Sequence, residues 1–118
     1  MTRTVATLLT VPFVGLALCG QNGLADERVK NLFVELCSTC HGVGGKGDGP
    51  SASGLHPKPA DFTNCEIMKK DSDETLFNII RGGGQAAGRS TVMPAWGGVL
   101  SVQEMRDLLG YVRSFCKK

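Results

Sequence analysis

From Asp26 onward the apolar residues recur at helical spacing. Val29, Leu32, Phe33 and Leu36 sit at i, i+3, i+4 and i+7, which predicts an amphipathic helix over 26–40. Asp26 and Glu27 suit its positive N-terminal end, and Gly42 suits its stop. A shorter helix is predicted over 71–81. Asp71 caps it with Glu74 three residues on, Leu76, Phe77, Ile79 and Ile80 form its apolar side, and Gly82-Gly83-Gly84 ends it. A last helix opens at Ser101, where Glu104 completes S-x-x-E, and Met105, Leu108, Leu109, Val112 and Cys116 share one face. Between the helices lie a glycine-rich loop (42–54), a proline-stiffened stretch (55–62) and a loop over 85–98 holding Met93-Pro94-Ala95-Trp96. Period-two alternation and internal repeats are absent from the sequence. The expectation is one small all-α domain of three main helices and loops.

The N-terminus has a different pattern. Arg3 is the sole charge before a largely apolar run from Val5 to Cys19, and Gln21 and Asn22 precede Gly23-Leu24-Ala25. That order reads as an export signal over 1–25 with cleavage after Ala25, leaving a mature domain over 26–118. A run of about 15 residues falls short of the roughly 20 that span a bilayer, so no transmembrane segment is expected in the mature chain. Cys19 offers a lipidation alternative, though the Leu18 before it is bulky for that signal. Five cysteines in 118 residues suit an oxidising compartment. The net charge is +2 and the basic residues are scattered, which excludes a nucleic-acid footprint. Lys69-Lys70 and Lys117-Lys118 read as solvated surface.

Candidate chemistry centres on Cys37-Ser38-Thr39-Cys40-His41. C-x-x-C-H is the attachment signature for c-type haem. Two cysteines three residues apart lie on nearly one side of a helical turn, placed to add to two vinyl groups of one porphyrin. His41 then offers an imidazole nitrogen to the iron. A zinc site using Cys37, Cys40, His41 and Cys65 or Cys116, or a redox C-x-x-C, is the alternative; neither requires the adjacent histidine. Gly42 to Gly47 formally matches G-x-G-x-x-G, but no strand precedes it, so dinucleotide binding is rejected.

Together these features resemble the class I single-haem c-type cytochromes, along the whole mature chain. The segments C-H-G-x-G-G-x-G-D-G-P, L-x-P-K-P-A-D-F-T and M-P-A-W-G-G-x-L-S look like an exported bacterial subfamily. The resemblance implies one covalent haem c on Cys37 and Cys40, with His41 and Met93 as axial iron ligands. Met68, in a polar stretch, and His56, inside the proline loop, are weaker candidates for the second ligand. In the family a proline carbonyl accepts from the ligating histidine; Pro59 or Pro50 matches that position. The family also pairs an aromatic before the motif with one on the last helix, here Phe33 and Tyr111, and Gly110 would let those helices cross closely. Trp96 suits either a haem propionate contact or plain core packing.

The function expected is electron transfer in the periplasm by a monomeric carrier that is not itself an enzyme, docking transiently with redox protein donors and acceptors. The alternatives are a haem c subunit or domain of a larger redox complex and a gas-binding sensor with a displaceable ligand. Removing 1–25 leaves four cysteines, two of them taken by haem. Cys65 and Cys116 are then expected to pair as a disulfide, with two separate reduced thiols as the alternative. Protein recovered from a bacterial periplasm is expected to begin at Asp26, checked by N-terminal sequencing; a start at a lipidated Cys19 would contradict it.

Overall fold

The computed structural model describes Gly15 and residues 21–117. The expected export segment therefore lies mostly outside the described residues. Within them the chain forms five α-helices and two single-turn 3-10 helices, with no strand. The helices are α1 (Gln21–Leu36), α2 (Ser38–His41), α3 (Cys65–Met68), α4 (Asp73–Gly82) and α5 (Val102–Ser114). α5 packs against both α1 and α4.

The first predicted helix is there but differs at both ends. It begins at Gln21, so Asp26 and Glu27 lie inside it rather than at its N-terminal end. It also breaks at Cys37, where φ is −118° and ψ is −32°, before the short α2 carries on to His41. The chain stays connected through the break, because Cys37 N–H donates to Phe33 O at 2.9 Å and His41 N–H to Cys37 O at 2.9 Å. Asp71 does not cap α4. Ser72 does, its hydroxyl accepting from Thr75 N–H at 3.1 Å, while the Asp71 carboxylate is taken up by Arg89. α5 opens on the expected capping box of Ser101 and Glu104. Those hydrogen bonds hold the Glu104 carboxyl below its ordinary value. The single turn α3 had no predicted counterpart; Asn64 caps it through Glu66 N–H and Ile67 N–H.

The core gathers Phe33, Phe62, Met68, Leu108 and Val112. Phe33 is its hub, with no exposed surface. Its ring lies 5.1 Å from Tyr111 and 5.2 Å from Phe115, centre to centre, with Phe62 edge-on at 6.3 Å. Such tilted aromatic pairs add to plain area burial. Two expectations fail here. Gly110 does not mediate a close crossing, since a Cβ there would meet open space. Phe77 is not core: it lies half-buried under the guanidinium groups of Arg106 and Arg81, at 5.2 and 6.0 Å from its ring centre.

Cys65 and Cys116 are joined in the structure, with Cα atoms 5.2 Å apart across 51 residues of sequence. The link ties α3 to the chain just beyond α5. Replacing the hub should be severe: Phe33→Ala is expected to destabilise the protein by about 3–5 kcal/mol, read from denaturant unfolding of wild type and variant side by side.

Candidate functional site

A cavity of about 510 Å³ opens beside the aromatic core, inside the usual range of roughly 300–1,000 Å³ for a small-molecule or cofactor site. Phe33, Leu36, Leu55, Leu76, Ile79, Ile80 and Leu108 make most of its wall apolar. Into this wall the fold brings Cys37, Cys40 and His41 from α1–α2 and Met93 and Trp96 from the loop after α4. The other candidate ligands are elsewhere. Met68 is buried in the core cluster and His56 is exposed; neither lines the cavity. A polar sequence neighbourhood hid Met68, whose side chain turns inward from a one-turn helix.

α2 is too short to satisfy its own carbonyls, and the glycine loop does it instead. Gly42 N–H donates to Ser38 O, Ser51 N–H to Thr39 O, Gly49 N–H to Cys40 O, and Gly47 N–H to His41 O at 2.8 Å. Gly47 has φ +73°, and a Cβ there would sit 2.5 Å from the Pro59 carbonyl. The loop thus presses the proline segment against the motif. That contact also corrects the expected partner of His41. The acceptor is neither Pro59 nor Pro50 but Ala60, whose carbonyl lies 3.2 Å from His41 Nδ1. The Pro59 carbonyl instead lies against Gly47.

With Nδ1–H donating to Ala60, the free lone pair of His41 is on Nε2. The ring stacks on Phe62 at 4.4 Å, 17° from parallel. Burial holds His41 below its ordinary value against the pull of the Ala60 carbonyl, so the imidazole stays neutral and able to ligate. Burial likewise pushes the Cys37 thiol up to about 11, with Cys40 adding to the rise. A reactive redox dithiol needs the opposite shift. Among the described residues no three His, Cys, Asp or Glu side chains converge, so the zinc alternative lacks a ligand cluster.

Met93 is set by the end of α4. Gly83 has φ +78°, and a Cβ there would fall 2.7 Å from Met93 O. Gly84 N–H donates to that same carbonyl at 3.2 Å, while Trp96 N–H and Gly97 N–H donate to Ile80 O and Arg81 O at 3.0 Å. The methionine segment therefore caps a helix C-terminus, as the glycine loop caps α2.

The donor set fits a covalent haem. Two thiols on adjacent turns, a neutral imidazole with one free nitrogen and a soft thioether line one apolar cavity. Comparison with known proteins agrees. Residues 25–112 match the family model for cytochrome c oxidase, cbb3-type, subunit III. The chain is 36% identical over 95 residues to the Cbb3-type cytochrome c oxidase subunit FixP of Bradyrhizobium diazoefficiens. That alignment covers 80% of this chain and 29% of the relative, so the chain spans under a third of that protein's length. Among solved structures it is similar to the KustC0563 c-type cytochrome. The TM-score is 0.58 at 28% identity, covering 73% of this chain and 94% of that one.

The loop contact is open to a stability test. Gly47→Ala is expected to cost about 1–2 kcal/mol from the left-handed backbone alone, and more from displacing Pro59. Gly44→Ala, which meets nothing within 4 Å, is the control; equal unfolding midpoints for the two variants would count against the packing described.

Proposed function

The chain belongs to the cbb3-type cytochrome c oxidase subunit III family of c-type cytochromes, and from that premise we propose that it is the haem c electron-transfer unit of a larger redox complex. It carries covalent haem c. The observation that supports the rest is the placement of Cys37, Cys40, His41 and Met93 around one apolar cavity. In this reading Cys37 and Cys40 would hold the cofactor as thioethers, and His41 and Met93 would serve as its iron ligands. Bound there, the haem supplies a one-electron ferrous/ferric couple, whose potential a methionine ligand raises.

The protein's own part is to hold and to exclude. The Ala60 carbonyl fixes the tautomer and orientation of His41. The apolar wall keeps water away, and burial is one of the levers that set a potential. With His41 and Met93 both serving as ligands the iron would have no place for substrate, and the chain would act as a carrier and not a catalyst. The same reading argues against a gas sensor. Trp96 and Lys58, both in the cavity lining, suit the propionates. Export to the periplasm and closure of the Cys65–Cys116 bridge belong to the same proposal.

Similarity to an oxidase subunit favours the complex-bound alternative over a free monomeric carrier. Among the described residues no helix is long and apolar enough to cross a membrane. Two measurements test the proposal. Met93→Ala should abolish the weak near-infrared sulfur-to-iron band of the oxidised protein and let the ferrous form bind carbon monoxide. Tagged protein taken from its native membranes and periplasm should co-purify with a haem-containing terminal oxidase; recovery only as a monomer would restore the free-carrier reading.

A further inference from the structure

The loop from Gly84 to Met93 is fastened at its ends by backbone. Gly84 N–H donates to Met93 O, and Arg89 N–H to Gly84 O at 2.9 Å. Its crown is fastened by a side chain. Arg89 donates from Nη1 to Asp71 Oδ2 at 2.8 Å and from Nη2 to Asp71 Oδ1 at 2.6 Å. This is the forked guanidinium–carboxylate geometry, the most directional ion pair that proteins make.

Asp71 is itself held in place. Arg113 of α5 donates from Nη2 to the Asp71 backbone carbonyl at 2.6 Å, from Nη1 to the Met68 carbonyl, and from Nε to the Asp73 carboxylate at 2.8 Å. The segment that carries Asp71 also begins at Cys65, joined to Cys116 beyond the end of α5. The side chain of Asp71 is 17% exposed and that of Arg89 is 47% exposed, so solvent screens one side of the pair only. The hydrogen bonds and charge of Arg89 keep the Asp71 carboxyl below its ordinary range.

We propose that Arg89 is a positioning residue for the methionine side of the site. Its forked pair with Asp71, held in turn by Arg113, keeps the Gly84–Met93 loop closed on the cavity and the Met93 thioether at the iron. The proposal rests on Met93 being the axial ligand. Arg89 also lines the cavity, so a direct contact with the cofactor's carboxylates is the competing role.

The test uses the haem-loaded full chain and the variants Arg89→Gln, Asp71→Asn, their double variant and Arg89→Lys. Hydrogen exchange is read at the Gly84 and Arg89 amides, and the sulfur-to-iron band is followed with rising temperature. Both single variants are expected to speed that exchange roughly three- to tenfold and to lose the band at lower temperature, with far-UV circular dichroism unchanged. The double variant should be no worse than either single one, because the two residues act as one unit. Arg89→Lys should recover part of the effect. Unchanged exchange in both single variants overturns the proposal. So does a band lost in Arg89→Gln but kept in Asp71→Asn, which assigns Arg89 to the cofactor instead. Faster exchange with an unaltered band overturns it too, leaving a loop fastening that positions nothing. Persistence of the band in Met93→Ala would instead remove the ligand reading beneath it.

Discussion

Phe33 belongs to two structures at once. It is the fully buried hub of the aromatic cluster with Tyr111, Phe115 and Phe62, and it is also part of the cavity wall. Leu108, Val112 and Phe62 share that double membership. The core and the site therefore have one boundary, and neither is complete alone. A chain with 6% aromatic residues has little apolar mass for a closed core, and small domains bury a smaller fraction of their surface than large ones. A rigid planar cofactor held covalently against this wall would supply the missing contacts. Packing and function would then be the same requirement, since what excludes water from the core would also exclude it from the metal.

The loops follow from the helices. α2 and α4 both end inside the molecule, where unpaired carbonyls are costly. The glycine loop answers for α2 and the Met93–Gly97 segment for α4. In each case the capping backbone also helps to place chemistry: the glycine loop packs against the segment whose Ala60 carbonyl meets His41, and the segment capping α4 carries the Met93 side chain to the cavity. Loops of this length normally wander at the surface. Here two helix ends fix their course, and left-handed glycines at Gly47 and Gly83 let backbone approach backbone closely enough to do so.

What the sequence made legible was whatever side-chain identity and period encode. C-x-x-C-H, the methionine loop, the S-x-x-E cap at Ser101 and the pairing of Phe33 with Tyr111 could all be read before any coordinates. Ala60 could not, because a backbone carbonyl has no side-chain signature and its aim depends on how the proline segment packs 19 residues away from His41. The cap of α4 was misread because Asp71 and Ser72 both qualify as caps; only the partner Arg89, 18 residues away, decides between them. Phe77 sits on the apolar side by periodicity, yet two arginines cover it in place of core. Met68 was hidden for the converse reason. In each case the missing information was a long-range neighbour rather than a local preference.

The two sides of the site are built with unequal stiffness. Everything that orients His41 is backbone, buried or packed: four carbonyls of α2 capped by the loop, the Ala60 acceptor, and Phe62 stacked on the ring. The methionine side has backbone contacts at its ends but spans its crown with residues that are mostly exposed, from Gln85 to Arg89. Local opening follows the number of buried apolar contacts and the exposure of backbone hydrogen bonds. The two ligand-bearing segments should then open with different free energies, the methionine segment more readily. A thioether is also the weaker donor of the pair, so the softer candidate ligand sits on the softer scaffold. The placement of His41 rests on the attachment motif and the loops packed directly on it, whereas that of Met93 depends on α4, α5 and the Asp71–Arg113 contacts between them, so the Met93 side is the part of the site most sensitive to the state of the whole fold.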